Sequence, residues 1–145
     1  MGVMAWSPLA KGMLTGKYRK GEPTPDSLRA RFVPKAMSDE GSLERVEQLI
    51  PLADGAGIPL IHMALAFVAA HPALTSAIIG PRTMGHLDGY LAGAGVVLSD
   101  EVLDRIDEIV PPGVDVAPLE GAAYLPPSIA QAALRRRPGT ERAAA

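Results

Sequence analysis

Cysteine is absent from this 145-residue chain. Disulfides, thiolate nucleophiles and cysteine-ligated zinc are thereby excluded, and the composition suits a reducing compartment, so a cytoplasmic setting is expected. Aromatic residues make up only 4%, which leaves aliphatic side chains and alanine to fill the interior. No excess of one charge is present either. A formal net charge of -2 gives no electrostatic reason to expect nucleic acid as a partner. The longest apolar stretch, Ile58 to Ala70, contains His62 and falls short of the roughly 20 residues of a membrane helix, so no membrane association is expected. Met1 to Leu9 has no basic leader and does not read as a signal peptide. What remains, 48% hydrophobic and 21% charged, is the composition of an ordinary soluble domain with one core.

Along the chain, Met1 to Trp6 is an apolar run closed by Ser7-Pro8, the pattern of a strand buried on both faces. Lys11 to Ser38 is rich in Gly, Pro, Lys and Arg without a period and reads as a long loop. From Ser42, a candidate N-cap, Leu43, Val46, Leu49, Ile50 and Ala53 share one helical stripe. Pro51 should kink or shorten that helix. Pro59 opens a second helix to about Ala70, apolar nearly all round. Thr75 to Ile79 is the second strand candidate, closed by Gly80-Pro81. Thr83 caps a helix of about Met84 to Gly93, weakened by Gly85, Gly89 and Gly93. Ser99 caps the last clear helix, whose stripe is Val102, Leu103, Ile106, Ile109 and Val110, and Pro111-Pro112-Gly113 stops it. The tail to Ala145 reads as irregular, with Arg135 to Arg137 solvated. The order is α/β, but two strands alone cannot make a sheet protected on both faces.

Two segments carry candidate chemistry. In Trp6-Ser7-Pro8-Leu9-Ala10-Lys11-Gly12-Met13-Leu14-Thr15-Gly16-Lys17-Tyr18, serine and glycine at a strand's end allow a ligand close to backbone donors, and Lys17 offers a charge for phosphate. A solvated turn explains the same residues equally well. The second segment, Ile78-Ile79-Gly80-Pro81-Arg82-Thr83-Met84-Gly85-His86-Leu87, puts a guanidinium just before a helix N-terminus, where phosphate is favoured. Taken alone, Arg82 reads as a surface loop arginine. His62 and His71 have no companion ligands and read as structural, so no metal site is expected. Asp100-Glu101 and Asp107-Glu108 read as helix polarity.

Together the two segments resemble the seventh and eighth strands, with their cofactor-binding turns, of the aldo-keto reductases. The resemblance covers Met1 to about Gly113 and implies the fold: an incomplete C-terminal portion of a (β/α)8 TIM barrel over residues 1–113, followed by a tail over 114–145. Barrels of this kind often build a phosphate site from these two loops. The resemblance further implies NADP as cofactor and, in an intact parent, hydride transfer between NADPH and a small aldehyde or ketone. By the same resemblance Trp6 stacks on nicotinamide, Ser7, Pro8, Leu9, Ala10 and Gly12 match pyrophosphate-contacting positions, and Lys17 matches the lysine of the Gly-Lys-Tyr step. Gly80 and Arg82 belong to the second turn, Arg82 gripping the 2′-phosphate. His86 stands where the family often has Arg or Gln near the adenosine phosphate, although a helix-surface histidine is an equal reading. Gly89 and Tyr90 depart from the family's Glu-Asn pair, which puts adenine contacts in doubt.

The family's Asp, Tyr, Lys and His tetrad lies in the first part of its barrel. None of Tyr18, Tyr90 or Tyr124 matches that tyrosine's motif, so no catalytic residue is assigned and the chain is expected to be inactive alone. By the resemblance it reads as a truncated gene, a mis-set start or a cut fragment. A regulatory nucleotide-binding module, as potassium-channel β subunits illustrate on this scaffold, and an inactive remnant are the alternatives. Open barrel edges imply self-association.

Overall fold

Two parallel strands organise the chain in the computed structural model, which describes residues 2–116 and 127–136. Strand β1 (Val3–Trp6) pairs with β2 (Leu74–Ile78), with Met4 opposite Ser76, Ala5 opposite Ala77 and Trp6 opposite Ile78, and an irregularity between Val3 and Met4. The parallel neighbours joined through helices that the barrel resemblance implies are present. Strand alternation puts Met4, Trp6, Ser76 and Ile78 on one face and Ala5 and Ala77 on the other. Ala5 and Ala77 are half-buried toward the helices, whereas Met4 and Trp6 are 69% and 68% exposed. The expectation that β1 is buried on both faces is therefore corrected: helices cover one side only.

The expected loop of Lys11 to Ser38 also needs correction. It contains a 3₁₀ turn (Ala10–Thr15) and two short helices, α1 (Leu28–Phe32) and α2 (Pro34–Met37). Ser27 Oγ accepts from Ala30 N at 3.0 Å at the start of α1, and Pro34 opens α2, where its missing N–H costs no helical bond. Buried Met37 ties α2 to the core.

Helix α3 (Glu40–Gly55) starts earlier than Ser42 because Asp39 is its cap, accepting from Ser42 N at 2.7 Å. Pro51 does not end the helix, which is held by buried Leu43, Val46, Leu49 and Ala53 on both sides of the proline. Helix α4 (Leu60–Ala69) follows Pro59 and buries Leu60, Met63, Ala64 and Ala66. Helix α5 (Met84–Leu91) is capped by Thr83 and α6 (Asp100–Ile109) by Ser99, as their sequences predict. On α6 Leu103 and Ile106 are buried, and Val102 and Ile109 pack at the core's edge. The core thus lies where α3, α4 and α6 meet, with Met13, Tyr18 and Met37 inserted from the long connection.

The tail holds two one-turn helices, α7 (Pro127–Ala130) and α8 (Ala132–Arg135). The expectation of a solvated basic run fails for Arg135 and Arg136: Arg135 pairs with Asp107, and Arg136 pairs with both Asp104 and Asp107. Asp107 thus does more than set helix polarity. His71 Nε2–H donates to the Ser128 carbonyl at 3.0 Å while its Nδ1 accepts from Ala73 N at 3.1 Å, a structural role as expected. The expectations for residues 117–126 and 137–145, Tyr124 and Arg137 among them, lie outside the described residues.

Candidate functional site

Because Trp6 stands opposite Ile78, both strands end level, and the turns after them leave the same end of the sheet. The first turn is built on left-handed backbone. Ser7, Ala10 and Lys11 have φ of 55°, 47° and 60°, and Gly12 and Gly16 follow at 102° and 76°. Non-glycine residues adopt this region at a cost, and such clusters favour functional turns. Local bonds hold it. Ser7 Oγ accepts from Lys11 N at 3.1 Å, the Ser7 carbonyl from Ala10 N at 2.9 Å, and the Leu9 carbonyl from Gly12 N at 2.8 Å. Thr15 Oγ1 donates to the Gly12 carbonyl at 2.7 Å, and buried Leu9 anchors the turn. The backbone N–H groups of Ala10, Lys11 and Gly12 are thus engaged within the turn, and what the turn offers outward is its contour.

Trp6 is an exposed ring, not a core tryptophan. Lys17 is exposed, its Nζ 4.8 Å from the centroid of the Tyr18 ring. Tyr18 itself is buried, its hydroxyl 3.0 Å from Ser27 Oγ. Next in sequence, Arg19 grips Glu47 through two bonds of 2.7 Å, Lys20 N donates to the same carboxylate at 3.1 Å, and Lys20 Nζ pairs with Glu44. The Arg19 hydrogen bonds, then the Lys20 N–H, hold the Glu47 carboxyl down to about 2. This latch ties the end of the first turn to α3. Sequence reasoning missed it, since partners 24 and 28 positions apart have no periodic signature.

At the second turn, Gly80, Arg82 and His86 are all exposed. Arg82 has no hydrogen bond or ion pair to another described residue. His86 N donates to Thr83 Oγ1 at 3.2 Å, and its ring stacks on Tyr90 with centroids 6.4 Å apart. The N–H groups of Met84 and Gly85 at the start of α5 bond to no described residue, leaving oriented donors beside the Arg82 position. Behind this helix His62 Nε2–H donates to the Gly89 carbonyl at 2.7 Å, a structural contact. Trp6, Ser7, Pro8 and Ala10 also border an apolar cavity of about 590 Å³ on the helix side of the first turn, which Gly80, Arg82 and His86 do not line.

The Aldo/keto reductase family model matches residues 1–111, and the chain belongs to that family. It is similar to a probable voltage-gated potassium channel subunit beta of Arabidopsis thaliana, with 34% identity over 76% of this chain and 35% of the relative. It is also similar to the uncharacterized oxidoreductase YrpG of Bacillus subtilis, with 36% identity over 77% of this chain and 32% of that protein. Among solved structures, the glycerol dehydrogenase AKR11B4 of Gluconobacter oxydans superimposes with a TM-score of 0.61 at 28% identity, covering 81% of this chain and 38% of the other. The chain spans about a third of the length of the curated relatives it matches.

Proposed function

We propose that this chain forms the cofactor side of an NADP-dependent aldo-keto oxidoreductase, with β1 and β2 as the seventh and eighth strands of a (β/α)8 barrel. The observation that supports this reading is the level ending of the two parallel strands, from which the strained first turn and the second turn with Arg82 both leave at the same end of the sheet. The residues fit a dinucleotide phosphate. Trp6 presents an exposed aromatic face, Arg82 a cation with no described partner, and an added Cβ at Gly80 would meet nothing within 4 Å, so the second turn leaves room for a ligand. When bound, the reduced nicotinamide supplies hydride to an aldehyde or ketone. Trp6 acts as the platform that orients the ring, and Arg82 holds the 2′-phosphate with its planar fork. Lys17 adds a second charge, the Ser7 to Gly12 contour accepts the pyrophosphate, and His86 borders the adenosine side. The names of YrpG and of the glycerol dehydrogenase support an oxidoreductase. Among the described residues none is assigned the proton transfer: the Tyr18 hydroxyl is buried against Ser27, and Tyr90 stacks on His86.

Trp6 is the sole tryptophan, so its emission reports on the site directly. Titration with NADPH should give weak, saturable quenching and NADH less. Losing a charged hydrogen-bond partner costs about 1.5–3 kcal/mol, roughly ten- to hundredfold in affinity, so Arg82→Ala should erase the preference for NADPH. Equal loss for both nucleotides would reject the phosphate role, and absence of quenching would reject the site.

A regulatory module is the second reading, favoured by the similarity to proteins named as potassium channel beta subunits. Nucleotide binding by a chain extended with any in-frame upstream sequence, without aldehyde-dependent oxidation of NADPH, would favour it over the enzyme.

A further inference from the structure

Between the first turn and α3 runs a chain of contacts that core packing does not call for. The side chain of Lys17 folds back over the turn: its Cε, like Cε2 of Tyr18, lies 3.9 Å from where a Cβ on Gly12 would stand. The Lys17 ammonium rests 4.8 Å from the centroid of the Tyr18 ring and forms no ion pair with a described residue. An aromatic face holds a cation without neutralising it, so the charge stays available to an anion on the first turn.

The ring that carries Lys17 is itself fixed. Tyr18 is buried in the core, and its hydroxyl is held at Ser27 Oγ. One residue further, the two Arg19 bonds to Glu47 and the Lys20 N–H to the same carboxylate fasten the segment to α3. That carboxyl, held down to about 2, is ionised throughout the neutral range. The Arg19 and Glu47 side chains are 38% and 30% exposed, and ion pairs at such exposure add little stability. What a bidentate pair fixes well is geometry. We infer that Tyr18 and the Arg19–Glu47 pair are positioning residues for the proposed nucleotide site, holding the Lys17 ammonium over the first turn before a phosphate arrives. The inference rests on the nucleotide reading and adds to it a residue of α3, Glu47, that touches no ligand. A long side chain that must be ordered on binding lowers affinity, and one held in place beforehand does not.

The test is a double-mutant cycle read by NADPH quenching of Trp6, with circular dichroism melts to confirm folding. Glu47→Ala should weaken NADPH about three- to tenfold, the effect of ordering one or two long side chains on binding. Lys17→Met removes the charge itself and should weaken it by about tenfold or more. In the Lys17→Met background, Glu47→Ala should weaken binding by less than about twofold further, because no ammonium is left to position. Should Glu47→Ala fail to fold, Arg19→Gln breaks the same grip while leaving Glu47 its bond from Lys20 N, and the same cycle is expected. A loss of equal size with and without Lys17 would show a merely structural role and overturn the inference, as would unchanged affinity in Glu47→Ala or Arg19→Gln. Both of those results keep quenching in the parent and leave the nucleotide reading standing. A parent without quenching rejects that reading, and the positioning role with it.

Discussion

The same substitution, glycine to alanine, should act with opposite sign at two positions four residues apart. At Gly89, inside α5, an added Cβ would meet nothing within 4 Å. Alanine there gains about 0.8–1 kcal/mol of helix propensity. At Gly93 the ideal Cβ would stand 2.5 Å from His62 Cδ2, 2.6 Å from Cγ and 3.0 Å from Cβ. This neighbour cannot swing aside cheaply, because its ring is tied to the Gly89 carbonyl and its Cβ is fixed to buried-faced α4. Overpacking costs about 1–3 kcal/mol and the lost hydrogen bond about 0.5–1.5 kcal/mol. Against these stands a gain of about 0.4–1 kcal/mol from a stiffer unfolded chain. Gly93→Ala should therefore destabilise by roughly 1–3 kcal/mol, lowering Tm by roughly 4–10 °C, while Gly89→Ala raises it by a few degrees. Thermal melts at fixed protein concentration read both. Combining His62→Ala with Gly93→Ala should recover part of the loss, a coupling of about 1 kcal/mol. A Gly93→Ala variant as stable as the parent, or a cycle without coupling, would refute the packing argument.

Acid should release the latch between the first turn and α3. The Glu47 carboxyl lies at about 2 in the fold against an ordinary 4.5. Its contribution is thus fully present above about 4.5 and is lost as pH falls toward about 2. The Tm difference between the parent and Glu47→Gln should shrink over that window, and a difference constant from pH 6 to pH 2 would count against the latch. Asp107→Asn weakens the anchor of both Arg135 and Arg136, so limited proteolysis should cut near residues 127–136 sooner than in the parent; equal rates would mean the tail is held by other contacts. The open sheet face of Met4, Trp6 and Ile78 predicts concentration-dependent self-association, which sedimentation would detect, and a strict monomer at high concentration would contradict it.

Short-range chemistry was readable from the sequence. Thr83 and Ser99 cap their helices because a side-chain oxygen placed before an apolar period meets the first free N–H groups, and nothing distant competes. The two strands and their parallel pairing were equally accessible, as were the two turns that carry the resemblance. Contacts between remote parts were not. An apolar run such as Val3–Trp6 looks alike whether one face or two are covered, so the exposure of Met4 and Trp6 had no sequence signature. Helices α1 and α2 are too short to show a period. Asp39, not Ser42, is the cap: it lies 3 positions further from the apolar stripe and its carboxylate reaches Ser42 N, a choice the pattern leaves open. The pairing of Arg136 with Asp104 joins charges 32 positions apart.

Both turns carry features that packing alone does not require. Three non-glycine residues between Ser7 and Lys11 sit in left-handed backbone, each costing about 1–2 kcal/mol, within a total stability that for such domains is about 5–15 kcal/mol. Leu9 anchors the turn inward and the Glu47 latch fastens its end, so the strain is held from two sides while Trp6 and Lys17 stay outside. Helix α5 buries none of its residues, and its start presents Arg82, Met84 and His86 to solvent. Its position depends on the Thr83 cap and on His62 at its far end. A strained, well-fastened turn beside an exposed helix start is a poor way to stabilise a core and a good way to fix a surface. The level ends of β1 and β2 send both turns from one end of the sheet, the arrangement that the proposed dinucleotide site requires.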